Sequence, residues 1–253
     1  MTPLVAISRE LSDQVDALRF PSVPFVYNPL AYARAPHEAY LEHWGSKTPR
    51  QVVMVGMNPG PFGMAQTGVP FGDVVMVRDF VGVTGQVGRP AREHPRRPVK
   101  GFDCTRSEVS GTRFWGWARD RFGSAERFFE KVFVANWCPL VFMEDSGRNR
   151  PPDKLPAAER AELFSACDDA LSRVVEVLRP TLVVGIGRFA EQRARTALPS
   201  EVRIGGILHP SPASPAANRD WAGLVDAQLR TLGFEPFELR HAGSVERCAD
   251  RRP

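Results

Sequence analysis

Four short apolar runs, none of which alternates with polar residues, leave few folds open to this chain. They cover residues 51–55, 132–135, 181–186 and 202–208, and they are rich in Val and Ile, which favour the extended backbone of a β-strand. Strands without alternation are buried on both faces, a pattern typical of parallel sheets with helices on either side. The sequence therefore predicts a parallel sheet of four strands.

Helical patterns lie between and around the predicted strands. Apolar residues recur every three or four positions over residues 3–18, 157–178 and 220–232, the spacing of a helix with one buried face. Pro180 ends the second of these helices, because proline cannot continue the hydrogen-bond ladder. Strands that alternate with helices predict an α/β fold, a three-layer α/β/α sandwich with a central, mainly parallel four-stranded sheet.

The length of the chain is compatible with one large domain. Its 253 residues contain no long Gly/Ser or acidic run, so we expect one domain over residues 1–240 and a polar, basic and disordered tail over residues 241–253. Residues 82–101 are rich in Gly, Pro and Arg and predict a surface loop. Because the chain has no apolar stretch of roughly 20 residues and no evident secretory signal, we expect no membrane contact. An intracellular location is expected, with the nucleoid in a bacterium or in the nucleus of a eukaryote.

Three polar side chains follow predicted strands at the points where those strands end. Asn58 follows the first strand, Asn136 the second and His209 the fourth. Because ligands of open α/β sheets bind beyond the carboxyl ends of the strands, we expect these side chains to meet at one edge. Each residue also has a structural interpretation that stays open: Asn58 as a helix cap, Asn136 bound to nearby backbone, and His209 satisfied by backbone.

These residue types suit the recognition of a base and the release of an anion. A fixed carboxamide such as that of Asn136 can accept from an imide N–H and donate to the neighbouring carbonyl, a pair that uracil presents and cytosine reverses. The imidazole of His209 can donate to a leaving anion. Phe71 could stack on a flat base, although a phenylalanine in an apolar stretch is also typical of a core.

A basic charge balance is compatible with a polyanionic partner without proving one. The formal net charge is +4 and the pI is about 9.1. The loop of residues 88–100 is basic, so it could attract phosphates or form an ordinary solvated face. Its basic residues are Arg89, Arg92, Arg96, Arg97 and Lys100. The cysteines lack the spacing of metal ligands, and we expect neither a metal nor a cofactor.

Taken in order, several motifs resemble one known family. Residues 56–72, GMNPGPFGMAQTGVPFG, carry the longest motif, and SEVSG at 107–111, NWCPL at 136–140, SGRN at 146–149, VVGIGR at 183–188 and HPSP at 209–212 follow it. Together they resemble the single-strand-selective monofunctional uracil-DNA glycosylases of the uracil-DNA glycosylase superfamily. The resemblance spans nearly the whole chain except its termini, and it implies the uracil-DNA glycosylase fold.

The resemblance implies a role for each matching position. Asn58 corresponds to the residue that positions the hydrolytic water, and Asn136 to the carboxamide that reads the uracil edge. Phe71 corresponds to the aromatic residue that stacks on the base. His209 corresponds to the residue that stabilises the leaving base at O2.

The segment after His209 resembles a loop that wedges into the duplex as the base flips out. We expect its serines, Ser211 and Ser214, to contact DNA. The family often carries a large basic residue directly after His-Pro-Ser-Pro, whereas this chain has Ala213. A weaker wedge follows, or a partial replacement by Arg219, and the preference between single and double strands stays open.

The predicted function is that of a monofunctional DNA glycosylase without lyase activity. Met57 and Gly60 match the pocket wall near C5 of the base, where the family leaves room, so 5-hydroxymethyluracil is an expected substrate beside uracil. The expected partner is single- or double-stranded DNA, the product is an abasic site in base excision repair, and the protein is expected to be a monomer. Two alternatives stay open: a glycosylase of the same fold that also or mainly removes deaminated purines such as xanthine, and a non-catalytic binder of damaged DNA.

Overall fold

The computed structural model of the protein describes residues 1–236. The tail predicted over residues 241–253 lies outside these described residues. The strands are β1 (Phe25–Tyr27), β2 (Val52–Gly56), β3 (Val132–Asn136), β4 (Val141–Met143), β5 (Leu182–Ile186) and β6 (Ile204–Ile207). The α-helices are α1 (Pro3–Ala17), α2 (Pro29–Tyr32), α3 (Arg34–Gly45), α4 (Met64–Thr67), α5 (Val74–Met76), α6 (Val109–Phe122), α7 (Ala125–Lys131), α8 (Ala157–Leu178), α9 (Arg188–Ala197) and α10 (Pro215–Thr231).

A four-stranded parallel sheet forms the centre of the fold. Its strand order is β3-β2-β5-β6, and each neighbouring pair is parallel. Every residue of the two inner strands, β2 and β5, is buried, which explains why their sequences show no polar alternation. The predicted sheet is confirmed, with strand ends that differ from the predicted runs by one or two residues.

Helices flank this sheet and enclose the core. Helix α1 packs on α8 and α3, α9 packs on β5 and β6, and α10 packs on β6 and α6. Gly185 in β5 lets α9 approach closely, because a Cβ there would strike the backbone of Glu191. No helix within residues 1–236 is long and apolar enough to cross a membrane. The predicted α/β fold class is confirmed.

Two of the three predicted helices have the expected bounds, and the third begins earlier. Helix α8 spans the predicted residues, and α1 ends one residue before the predicted end. Helix α10 begins at Pro215 rather than at the predicted Asp220, because the Ser214 hydroxyl caps the N–H of Ala217 and Pro215 suits a first helical turn. Asp220 interrupts α10 with a φ of −158°, and its Oδ1 accepts the N–H of Gly223 at 2.9 Å. A second helical segment therefore starts where the apolar pattern indicated.

The short antiparallel pair of β1 and β4 has no counterpart in the predictions. Phe25 pairs with Met143 and Tyr27 with Val141. Three-residue strands are too short to show a sequence period, so the pattern gave no signal for them.

The segment of residues 82–101 is a surface loop that forms no strand or α-helix and has a few buried side chains. Val83, His94 and Val99 are buried. The backbone N–H of His94 donates to the Tyr27 hydroxyl at 2.6 Å, and the His94 Nε2 lies 3.0 Å from the Asp145 carbonyl. The predicted surface loop is confirmed, since more than half of its residues are exposed, and its buried side chains fix it against β1 and the turn after β4.

Candidate active site

An open cleft with a volume of about 570 Å³ lies beyond the carboxyl ends of the parallel strands. The loops after β2 and β6 and the last residue of β3 all contribute to its lining. The structure brings together eight of the nine residues predicted for the site: Met57, Asn58, Gly60, Phe71, Asn136, His209, Ser211 and Ser214. Arg219 is the exception, because it is an exposed residue of α10 outside this lining. Its contact with DNA stays a prediction.

The sheet register places Asn136, the last residue of β3, opposite Gly56, the last residue of β2. The backbone N–H of Trp137 donates to the Gly56 carbonyl at 2.9 Å and continues this pairing beyond the strands. A Cβ on Gly56 would strike the Asn136 Oδ1 and approach the Phe71 ring to 2.9 Å. The Asn136 Nδ2 donates to the Sδ of Met64 at 3.2 Å. The Asn136 carboxamide therefore lies with its oxygen against Gly56 and its nitrogen directed at Met64.

Phe71 lies at the cleft on a strained turn. Its φ of 54° is in the left-handed region, which non-glycine residues rarely adopt and which is found most often where function requires it. The Phe71 carbonyl accepts the N–H of Asp73 at 2.8 Å, and a Cβ on Gly111 would strike that carbonyl. The Phe71 ring stacks on Phe114, with centroids 4.8 Å apart and planes 20° apart. It lies 6.0 Å from the His209 ring.

Asn58 has an amide whose orientation is set by the backbone. Its Nδ2 donates to the Leu140 carbonyl at 3.1 Å. A carbonyl can only accept, so this bond identifies the nitrogen and leaves Oδ1 as the acceptor for a ligand. The Asn58 side chain can therefore orient a water molecule, and it cannot remove a proton from it.

His209 is a neutral imidazole with a defined tautomer. Its Nδ1 accepts the backbone N–H of Ser211 at 3.1 Å, so the proton of the neutral ring is on Nε2. Burial lowers the pKa of His209 to about 4, because the charged ring would lose its hydration. Gly187, with a φ of 91°, passes close to this ring: a Cβ there would lie 3.2 Å from the His209 Cβ. At neutral pH the residue offers an N–H donor without a full positive charge.

Hydrogen bonds fix the loop that follows His209. The Ser211 hydroxyl accepts the N–H of Ala213 at 3.2 Å, and the Ser211 carbonyl accepts the N–H of Ser214 at 3.0 Å. Ala213 lines the cleft at the position where the family often has a large basic residue, and it adds no charge there.

Two side chains from helices hold the same loop from behind. Arg113 of α6 donates to the Pro210 carbonyl at 3.2 Å and to the Asn218 Oδ1 at 2.8 Å. Asn218 of α10 donates to the Pro212 carbonyl at 2.9 Å. Neither residue was selected from the sequence, because nothing in the local pattern connects α6 with a loop about one hundred residues later.

Glu108 also lines the cleft and is absent from the predicted site. Its backbone N–H donates to the Asp73 Oδ2 at 3.0 Å. A Cβ on Gly60 would lie 2.6 Å from the Glu108 Oε2, so this loop and the carboxyl group approach closely. Burial raises the pKa of Glu108 and the charge of Asp73 raises it too, whereas the backbone N–H groups of Ser110 and Phe62 lower it. The SEVSG motif was the available sequence signal.

Asn149 is a second cleft residue to which the sequence assigned no role. It lies in the SGRN motif and lines the cleft. Its Oδ1 is buried and has no hydrogen-bond partner among residues 1–236. Within the same residues, no group of three or more His, Cys, Asp or Glu side chains could hold a metal ion.

Known proteins are similar to this chain in sequence. The family model of the uracil DNA glycosylase superfamily matches residues 43–227. The single-strand selective monofunctional uracil DNA glycosylase of Bos taurus is 52% identical over 231 residues, which cover 90% of this chain and 85% of that protein. The Rattus norvegicus protein of the same description is 51% identical over 239 residues, which cover 93% and 85%.

A solved structure shares the fold at low sequence identity. The crystal structure of wild-type Pedobacter heparinus SMUG2 has a TM-score of 0.62 at 18% identity, and the match covers 90% of this chain and 97% of that one. The superfamily match includes every residue of the predicted site, from Met57 to Arg219. The chain belongs to the single-strand selective monofunctional uracil-DNA glycosylases, a family of the uracil-DNA glycosylase superfamily.

Proposed function

We propose that this protein hydrolyses the N-glycosidic bond of uracil and of 5-hydroxymethyluracil in single- or double-stranded DNA, leaving an abasic site for base excision repair. Release of uracil without a lyase step is the activity of the family to which the chain belongs. The observation that carries the proposal is the meeting of Asn58, Phe71, Asn136 and His209 in one cleft.

We assign the stabilisation of the leaving base to His209. As the N-glycosidic bond breaks, positive charge develops on the sugar and negative charge on the base. The Nε2–H of His209 can donate to O2 of the departing base, a donor directed at the charge that develops in the transition state. Because the ring is neutral, it does so without placing a second cation beside the sugar.

Base recognition is assigned to Asn136 and Phe71. The Asn136 Oδ1 accepts from N3–H of uracil, and its Nδ2 donates to O4. Cytosine presents the reversed pair and would leave buried polar groups without partners, which discriminates strongly. The Phe71 ring, supported from behind by Phe114, stacks on the base.

We assign the orientation of the attacking water to Asn58. With its Nδ2 held by the Leu140 carbonyl, the Oδ1 accepts a hydrogen bond from the water that attacks C1′ of the sugar. A cationic sugar needs little help from a base, so orientation of the water suffices. The cleft lining contains no lysine, in agreement with hydrolysis rather than a Schiff-base step.

The proposed tolerance of 5-hydroxymethyluracil concerns the wall formed by Met57 and Gly60. Gly60 has no side chain, and its backbone lies against the Glu108 carboxyl. The Glu108 carboxyl fills the space that a Gly60 side chain would take, so the proposed acceptance of a C5 substituent rests on the resemblance of Met57 and Gly60 to the pocket wall of the family. Xanthine stays a second candidate substrate, because it presents an imide edge that Asn136 can bind. The volume of the cleft, about 570 Å³, is compatible with this larger base.

Base release from a synthetic oligonucleotide tests the proposal directly. Duplex and single-stranded substrates carry one uracil, 5-hydroxymethyluracil or xanthine, EDTA is present, and hot alkali converts abasic sites to strand breaks. The wild-type protein should release uracil and 5-hydroxymethyluracil. His209→Ala and Asn58→Ala should each lower the single-turnover rate on the order of 10²-fold or more, as expected when a transition-state donor or a positioned water is lost.

The same experiment separates the alternatives. Wild-type binding to uracil-containing DNA without base release would identify a non-catalytic binder, and release of xanthine alone would identify a purine-specific enzyme. Borohydride should trap no covalent adduct with DNA, whereas a trapped adduct would contradict monofunctional hydrolysis.

A further inference from the structure

Two arginines from separate segments hold their guanidinium groups against one phenylalanine ring beside the cleft. The Cζ of Arg106 lies 4.3 Å from the centroid of the Phe62 ring, and the Cζ of Arg97 lies 5.1 Å from it. Arg96 precedes Arg97 in the loop that buried His94 anchors. We call Phe62, Arg96, Arg97 and Arg106 the arginine cluster.

Backbone carbonyls, rather than carboxylates, position the arginines of the loop. The Arg97 Nε donates to the Gly147 carbonyl at 3.0 Å, and the Arg96 Nη2 donates to the Asp145 carbonyl at 3.1 Å. Among residues 1–236, no ion pair with a carboxylate involves Arg96, Arg97 or Arg106. Arg96 and Arg97 are thus held by carbonyl groups without a salt bridge, while the charge of Arg106 reaches the Glu108 carboxyl, whose pKa burial raises and Arg106 lowers.

The arginines of the cluster repel one another. Partial burial lowers the pKa of Arg97, and the positive charges of Arg106 and Arg96 lower it further. Like charges at such short range cost free energy that a bound anion would recover. A protein surface of this kind is matched to an anionic partner.

Each segment of the arginine cluster continues into the lining of the cleft. Phe62 lies between two residues of the cleft lining, and Arg106 lies two positions before a third. Arg97 donates to the carbonyl of Gly147, which lies two positions before a fourth lining residue. These lining residues are Pro61, Gly63, Glu108 and Asn149. The segments of the arginine cluster therefore border the cleft that the base would enter.

We propose that the arginine cluster binds a backbone phosphate of the DNA strand beside the nucleotide whose base enters the cleft. This inference rests on the proposed function, since it takes DNA as the occupant of the cleft. Guanidinium groups present planar donors that match phosphate oxygens. The Phe62 ring holds two of them in advance, so little side-chain freedom is lost on binding. A phosphate contact carries no sequence information, as befits a protein that finds a single base in any sequence.

The test measures how salt affects the binding of a single-stranded oligonucleotide that carries a tetrahydrofuran abasic analogue. The variants are Arg106→Gln and the double variant Arg96→Gln/Arg106→Gln. Within residues 1–236, the contact described for the Arg106 side chain is the one with the Phe62 ring. Arg203→Gln is the matched control, because Arg203 precedes β6 and so lies at the end of that strand opposite the cleft. Loss of one phosphate contact should reduce the slope of log K against log salt concentration by about 0.7 for a single strand. The affinity at low salt should fall several-fold.

Arg106→Lys keeps the charge and should retain most of the wild-type slope. At DNA concentrations below saturation, the rate of uracil release should fall in Arg106→Gln together with the affinity, whereas Arg203→Gln should release uracil at the wild-type rate. A wild-type slope in both glutamine variants, or an equal loss in Arg203→Gln, would overturn the proposal. Normal DNA binding without base release would instead count against the proposed function and leave the cluster intact.

Discussion

His209 and Asn58 are each fixed by one hydrogen bond to the backbone, which leaves a single side-chain atom for the reaction. In His209 the Nδ1 is occupied by the N–H of Ser211, and in Asn58 the Nδ2 is occupied by the Leu140 carbonyl. The free atoms, Nε2–H and Oδ1, have the polarity that a leaving anion and an attacking water require. Preorganised groups of this kind need no rearrangement during the reaction.

The low pKa of His209 predicts a flat pH–rate profile through the range where histidine ordinarily titrates. The neutral Nε2–H donor should persist from about pH 8 down to pH 5, because burial lowers the pKa to about 4, whereas an ordinary histidine has a pKa of about 6.5. Single-turnover uracil release at a series of pH values tests this. A rate that halves near pH 6.5 in the wild type and is flat in His209→Asn would show that His209 titrates normally.

Asn58→Asp should release uracil faster than the wild type in single-turnover assays. A carboxylate can accept the same water and also help to remove its proton, and general bases typically contribute a factor of about 10² to 10⁴. The gain should lie at the low end, because a cationic sugar needs little base help. Asn58→Ser, a small polar side chain without a base, is the control. No gain in Asn58→Asp would show that water activation does not limit the rate.

Residue by residue, the sequence identified side chains at strand ends and missed those that depend on distant neighbours. Asn58, Asn136 and His209 could be selected because parallel strands present their carboxyl ends at one edge. Arg113 could not, because its position depends on a contact with Pro210, far away in the chain, whereas Glu108 had a signal in the SEVSG motif that was not used. The strained φ of Phe71 likewise has no local sequence signal.

Among the elements of the fold, the loop between β6 and α10 is one that depends on other parts of the chain. Arg113 and Asn218 hold its carbonyls, and Ser214 starts α10 at its far end. The apolar period of α10 was visible in the sequence, but its true beginning was set by a capping serine and a proline. Capping and loop support are side-chain interactions, which periodicity does not record.

Arg113→Met should impair uracil release while leaving the fold intact. Methionine keeps an apolar stem but cannot donate to the Pro210 carbonyl, so the loop after His209 would lose its support. A displacement of reacting groups by about 1 Å can cost on the order of 10²-fold in rate, and we expect a loss of about 10-fold or more. The measurement is the single-turnover rate beside the thermal midpoint.

Arg119→Met is the matched control for this variant. Arg119 is an exposed residue of the same helix, paired with the adjacent Asp120 and outside the cleft. Rates equal to wild type in both variants would show that the loop keeps its position without Arg113. Recovery of activity in Arg113→Lys would indicate that charge, rather than the paired donors, supports the loop.

For the molecule as a whole, the buried parallel sheet could be predicted from the sequence. The lowered pKa values of two histidines, which make stability depend on pH, could not. Continuous Val- and Ile-rich runs indicate strands covered on both faces. The two histidines whose pKa falls to about 4 owe this to burial among distant elements: His37 in α3 and His209 after β6. His37 is buried and its Nδ1 lies 2.7 Å from the Gly68 carbonyl.

Both histidines should make the fold less stable as the pH falls from about 6.5 to about 4. Over this range the unfolded chain binds protons that the folded protein does not, so the free energy of unfolding decreases with decreasing pH. Thermal midpoints at pH 7.5 and pH 5 should differ less in His209→Gln than in the wild type. Glu108 has a raised pKa and therefore makes the fold more stable as the pH falls. It is present in both the wild type and His209→Gln, so it does not affect the comparison. Equal differences in the two would contradict a buried, neutral His209.

The thioether of Met64, which accepts a hydrogen bond from the Asn136 amide, has a consequence for affinity. Sulfur is a weak acceptor, so a base can displace it by offering a carbonyl oxygen to the same nitrogen at little cost. A carboxamide or carboxylate in place of Met64 would keep the amide equally well oriented, yet it would act as a tethered competitor that every incoming base must first dislodge. The weakness of this hydrogen bond therefore keeps the Asn136 amide oriented and still free to bind an incoming base.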